Sequence, residues 1–70
     1  MEFIVVRYSN PRDVFVDGMP MGKTDKTLRV EAGIHTFDLG DPRDYIPNQY
    51  SLDVQGTTPL SPLEVRFAPA

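Results

Sequence analysis

Apolar and polar residues alternate with a period of two along most of the chain, and a period near 3.6 is hard to find. Leu28 and Val30 alternate with Thr27, Arg29 and Glu31, and His35, Phe37 and Leu39 with Ile34, Thr36 and Asp38. Tyr50, Leu52 and Val54 alternate with Ser51, Asp53 and Gln55, and Leu63, Val65 and Phe67 with Glu64 and Arg66. Val14-Phe15-Val16 and Met19–Lys23 are shorter β-rich runs, and Phe3–Tyr8 is apolar on both of its rows. Asn10-Pro11, Asp17-Gly18, Thr24–Lys26, Ala32-Gly33, residues 40–49 and Gly56–Pro62 separate these runs. The spacing predicts about seven short strands joined by turns every 8–12 residues or so. No substantial helix fits. The window Val30–Leu39 carries Gly33 in its middle and is crowded with β-branched residues, both unfavourable in a helix.

A chain of this kind closes as a small all-β domain, an antiparallel β-sandwich spanning residues 1–70. Its expected inner set is Val14, Val16, Leu28, Val30, Phe37, Leu39, Tyr50, Leu52, Val54, Leu63, Val65 and Phe67, with one row of Phe3–Tyr8. Either Phe3/Val5 or Ile4/Val6 can supply that row. A strand apolar on both rows is covered on both sides or lies at an interface. This makes Phe3–Tyr8 a candidate strand for homodimer pairing at an exposed sheet edge. The tail Ala68-Pro69-Ala70 is expected to fray.

The segment DGMPMGKT, residues 17–24, ends like a phosphate-binding P-loop. Gly18 and Gly22 enclose only three residues where that loop needs four, and Asp17 puts a carboxylate where phosphate would approach. A strand-like alternation follows Thr24 instead of a helix. Asp17-Gly18 between two short β-runs is instead a two-residue hairpin corner, because both positions need positive φ. Gly22 is then expected at a bend or bulge, and Pro20 on an edge strand.

These residues also carry a family resemblance. Val14-Phe15-Val16-Asp17-Gly18, Gly22-x-Thr24 and Ala32-Gly33-x-His35-x-Phe37-x-Leu39 resemble the PEGA domain, and Tyr45-Ile46-Pro47 with Tyr50/Leu52/Val54 matches its continuation. The namesake Pro-Glu-Gly-Ala is replaced by Asn10-Pro11-Arg12-Asp13, and the proline expected after Thr24 is Asp25. The resemblance spans about residues 10–67. It implies a compact transthyretin-like sandwich and a non-catalytic module of the sort that accompanies surface or envelope proteins.

Composition narrows the chemistry. Seventy residues contain no cysteine, which excludes disulfides, thiolate metal sites and cysteine catalysis. The net charge is −3, with seven basic residues scattered among ten acids. Nucleic acids and anionic membranes select for clustered positive charge, so neither is an expected partner. The start Met-Glu-Phe-Ile lacks the basic leader of a signal peptide, and no apolar run approaches a membrane span. Met1 as the native start therefore predicts a cytoplasmic protein, whereas the family resemblance implies the envelope.

His35 is the single histidine, and its register with Phe37 and Leu39 predicts a structural role. Asp38, Asp41 and Asp44 recur every third residue, unlike the every-second spacing of a calcium loop. Asp41-Pro42 is expected to open a turn, with the carboxylate accepting from a backbone N–H. No catalytic residue, cofactor or metal site is therefore expected. The residues suited to contact are Arg43, Tyr45, Ile46 and Tyr50 in and beside the long loop, and Met19 and Met21 beside the hairpin. Tyr45 either faces a partner or plugs the open end of the sandwich. The function expected is a structural or protein-interaction module, working by loop contact, strand addition or self-association. The alternative is a carbohydrate-binding module that stacks sugar rings on Tyr45 and Tyr50.

Overall fold

A computed structural model describes all residues from Met1 to Ala70 and contains only strands and turns. Its strands are β1 (Glu2–Arg7), β2 (Asp13–Val16), β3 (Met19–Lys23), β4 (Thr27–Val30), β5 (Gly33–Asp38), β6 (Tyr45–Ile46), β7 (Tyr50–Val54), β8 (Leu63–Arg66) and β9 (Ala68–Pro69). One sheet has the order β4-β1-β8 and the other β3-β2-β5-β7, with β6 and β9 forming a small third pair. The chain is thus the small all-β sandwich that its alternation predicts.

The corner at residues 17–18 shows how locally the sequence acts. Val16 faces Met19 across a two-residue loop, and Asp17 (φ 52°) and Gly18 (φ 82°) both take positive φ. This is the type I′ geometry whose twist matches the flanking strands. Just beyond it the register slips: Val14 faces Gly22 while Phe15 faces Pro20, leaving Met21 as the extra residue of a bulge. Pro20 lies on β3, an edge strand, where its missing N–H breaks no ladder. The P-loop-like ending therefore belongs to an antiparallel hairpin.

Side chains from both sheets meet in one core. Ile4, Val6, Val14, Phe37, Leu39, Val54 and Val65 are almost fully enclosed. Leu28, Tyr50, Leu52 and Leu63, expected inside, are only partly buried against this core. They lie on the outer strands of the two sheets, β4, β7 and β8, where fewer neighbours can cover them. The inward row of β1 is Ile4/Val6. Val5 on the opposite row is 5% exposed, flanked in register by Thr27 and Glu64. On that face Arg7 Nε reaches Glu64 at 3.4 Å.

Four expectations need correction. The strands number nine, because β6 and β9 are too short to leave a periodic signal. The β1–β8 pair is parallel, with Ile4 opposite Leu63 and Arg7 opposite Arg66. Alternation is blind to strand direction, so nothing in the pattern distinguishes this from an antiparallel pair. The Phe3–Tyr8 strand is central, flanked by β4 and β8, so its backbone offers no edge for dimer pairing. Finally, the tail is pinned. Ala68 pairs with Ile46, Pro69 with Tyr45, and the Ala70 N–H donates to the Asp44 carbonyl at 3.0 Å.

Candidate functional site

The long loop after β5 closes one end of the sandwich, and Tyr45 is its plug. The side chain is 3% exposed, which removes it from any contact surface. Its ring meets Phe67 edge-on at 5.4 Å and Tyr8 edge-on at 6.3 Å. Its hydroxyl donates to the Gly40 carbonyl at 3.0 Å and accepts from the Leu39 N–H at 3.1 Å. Arg43 also donates to that hydroxyl at 3.1 Å and to the Asn48 carbonyl at 3.3 Å. Arg43 thus braces the loop from within and remains only partly available to a partner. A sugar platform built on Tyr45 and Tyr50 together is ruled out by the burial of Tyr45.

Arg12 is the residue that inspection of the sequence does not single out. Its guanidinium lies 5.4 Å from the Tyr45 ring centroid and 5.7 Å from that of Tyr8. It donates to Asp44 Oδ1 and to the Pro42 carbonyl, both at 2.8 Å, and to the Leu39 carbonyl at 3.3 Å. The ion pair holds the Asp44 carboxyl below the usual carboxylate range and raises Arg12. The three loop aspartates go to separate partners. Asp44 takes Arg12, and Asp38 accepts from the Gly40 N–H at 2.9 Å. Asp41 does not form the expected turn bond; its carboxylate is 94% exposed and lies 3.9 Å from Arg43. The turn bond expected of Asp41 is made instead by Asp38, two residues before the Gly40 N–H.

His35 is held from both sides. Nδ1 lies 2.6 Å from Asp17 Oδ2, and Nε2 lies 2.7 Å from the Glu31 carbonyl. Both partners are acceptors, so only the imidazolium, with two N–H groups, satisfies both. The bond to Asp17 raises the His35 pKa, and the bond from His35 lowers that of Asp17. Asp17 also accepts from the Thr36 N–H at 2.9 Å, so one carboxylate ties the hairpin corner to β5. Stability from His35 is complete below its ordinary pKa of 6.5 and declines as pH rises through the raised value. Stability from Asp17 is complete above 3.8 and declines as pH falls through the lowered value. The melting temperature should therefore fall as pH rises above 6.5 through the raised His35 pKa, and Asp17→Asn should flatten that fall. Asparagine tolerates the same positive φ, so the turn is retained. An unchanged alkaline limb in Asp17→Asn would show that the pair contributes nothing.

A groove of about 770 Å³ lies beside the plugged end, where the β6–β9 flap meets the ends of β1, β7 and β8. Its floor is the aromatic pair Tyr8 and Phe67. Ile46, Pro47 and Tyr50 form one wall, and Ile46 is 55% exposed there. Arg7, Asp25 and Arg66 form the charged side. Arg7 bonds Asp25 at 3.3 Å, and Arg66 bonds Glu64 at 2.7 Å. The Tyr50 hydroxyl donates to the Arg66 carbonyl at 2.8 Å, bridging the edge strands of the two sheets. Its ring rests edge-on against Phe67 at 5.1 Å.

Of the expected contact residues, the groove brings together Ile46 and Tyr50. Met19 and Met21 stand apart on β3, 62% and 48% exposed. Arg7, Arg66 and Phe67 are groove residues that the sequence pattern leaves anonymous, because they come from strands far apart in the chain. His35 is not part of this groove. No helix is long and apolar enough to cross a membrane. Comparison with protein-family models, curated proteins and solved structures finds no match to the chain.

Proposed function

We propose that this domain is a non-enzymatic structural and protein-interaction module of PEGA type, and that the groove beside the β6–β9 flap is its contact site. The carrying observation is the groove itself: a floor of Tyr8 and Phe67, the exposed Ile46 beside it, and a rim of ion-paired charges, Arg7 with Asp25 and Arg66 with Glu64. Apolar contact area rimmed by polar groups is the composition of a protein-recognition surface. The PEGA reading is supported by where its motif residues fall. Asp17-Gly18 forms the hairpin corner, Gly22 lies near the end of β3 and Thr24 just beyond it, and His35, Phe37 and Leu39 follow the turn after β4.

A photo-crosslinking side chain at position 46 should capture protein from the source cell, whereas the same group at Ser51, exposed on the opposite face of β7, should not. Ile46→Asp should abolish capture by a second crosslinker placed at Ala68. Equal crosslinking from positions 46 and 51 would remove the groove from the function.

A further inference from the structure

After β4 the chain passes from one sheet to the other. β4 belongs to the sheet β4-β1-β8 and β5 to the sheet β3-β2-β5-β7, so Glu31 and Ala32 form the crossover between the two layers. Both residues are exposed. Their backbone has a single hydrogen-bond partner, His35 Nε2, which lies 2.7 Å from the Glu31 carbonyl oxygen. Gly33, the next residue, has φ +126°, and nothing crowds the place where a side chain would stand. β4 itself is an edge strand held by β1 alone. The join between the sheets therefore hangs on one side chain.

The other side of that ring is fixed. Nδ1 faces Asp17 Oδ2 at 2.6 Å. Asp17 is held independently of the ring, because its N–H donates to the Thr36 carbonyl at 2.8 Å and its Oδ1 accepts from the Thr36 N–H at 2.9 Å. With both ring nitrogens protonated, each acceptor has its donor. A neutral ring keeps one N–H. The carboxylate holds it in preference to the carbonyl, because a bond to an ionised acceptor is the stronger. Nε2 then turns a lone pair toward the Glu31 oxygen, acceptor against acceptor, and that contact has to separate. The crossover is the partner with nothing else to restrain it.

The charged groups at the ring are Asp17 from the hairpin corner and the Glu31 carboxylate from the crossover, and both favour the imidazolium. β2 meets this part of β5 through Val16 and Phe37, and β7 places Leu52 opposite His35. The acids Asp38 of β5 and Asp53 of β7 share the Ile34 row, on the opposite face of the sheet.

We propose that His35 is a proton-operated latch on the crossover between the sheets. The imidazolium holds residues 31–33 against β5, and the neutral ring releases them while the Asp17-Gly18 corner stays in place. The device is local: it changes the order of one connection and leaves the fold standing.

A pH titration of the native chain by nuclear magnetic resonance tests this. Ring nitrogen shifts report the tautomer, and carbon relaxation at Ala32 and Gly33 reports order, with Asp17 Cα as the fixed reference. As His35 loses its proton, the order parameters at residues 32 and 33 should fall from about 0.85 to about 0.6 or lower, with Asp17 unchanged. The neutral ring should carry its proton on Nδ1. Glu31→Gln removes the carboxylate but keeps the carbonyl, so the step should persist. In His35→Gln, checked for native circular dichroism, the donors sit on one nitrogen, and residues 32 and 33 should be loose at every pH. Unchanged order across the native titration overturns the proposal, as does a neutral ring protonated on Nε2. Loss of the step in Glu31→Gln overturns it too, and so does a folded His35→Gln chain with a rigid crossover. The native titration decides the matter even where His35→Gln does not fold.

Discussion

Tyr45→Ala is expected to abolish the cooperative unfolding transition at room temperature. Removing a large buried aromatic costs about 3–5 kcal/mol, through lost transfer free energy and the cavity left behind. A domain of this size has about 3–5 kcal/mol to lose. The ring also anchors two edge-on aromatic contacts, and its hydroxyl satisfies the Leu39 N–H and the Gly40 carbonyl. Tyr45→Phe keeps the ring and removes only those bonds, which should cost about 1–3 kcal/mol and leave a folded, weaker domain. Circular dichroism during urea titration separates the cases. A Tyr45→Ala chain with a near-native midpoint would show that the end of the sandwich closes without its plug. It follows that Tyr45→Ala is unsuitable as a probe of partner binding, since loss of a partner would only report loss of the fold.

Arg12→Ala should be nearly as damaging, at about 2–4 kcal/mol. The side chain is only 15% exposed and supports residues 39–44 through three carbonyls and a carboxylate. Taking it away leaves those acceptors to find water at a crowded end of the molecule. It also strips the cation from over the Tyr8 and Tyr45 rings. Lysine should not restore the loss, because an ammonium cannot donate as a planar fork or stack on a ring. The check is the urea midpoint of Arg12→Ala and Arg12→Lys against the native chain. Equal midpoints for native and Lys variants would reduce Arg12 to a point charge. The loop has no slack to absorb such changes. At Gly40, φ is +69° and an added Cβ would run into the Phe15 ring, so only glycine fits there.

What can be read from the chain and what cannot divides along physical lines. The Asp17-Gly18 corner is legible because few residue types accept two successive positive φ values. The strands β4, β5, β7 and β8 are legible because burial of one face writes a period of two. The choice between the two rows of β1 is not, because both are apolar. Only the register of β4 and β8 turns Ile4 and Val6 inward. The parallel β1–β8 pair escapes for want of any directional signal. Arg12 escapes because a guanidinium collecting carbonyls from residues 39, 40 and 42 has no local signature. It reads as one more scattered charge. The plug role of Tyr45 is open in the sequence and settled by its burial. The groove is half legible: Ile46 and Tyr50 announce themselves in a loop-rich segment, but Arg7, Phe67 and Arg66 meet them only once the two sheets close.

The placement of β1 in the middle of its sheet also sets an order in time. Its partners lie far along the chain, Leu28 for one edge and Leu63–Arg66 for the other. During synthesis this strand leaves the ribosome with one edge that nothing can satisfy until β8 has been made. The hairpin at Asp17-Gly18 forms from neighbours and can nucleate early, but the first sheet can close only after β8 arrives. Such distant pairing places folding toward the slow, millisecond-to-second end for small domains. The nascent domain therefore spends its longest interval as a hairpin with an apolar, half-paired FIVVRY strand beside it. That interval is when the chain is most exposed to aggregation and chaperone capture, and the arrival of β8 brings it to an end.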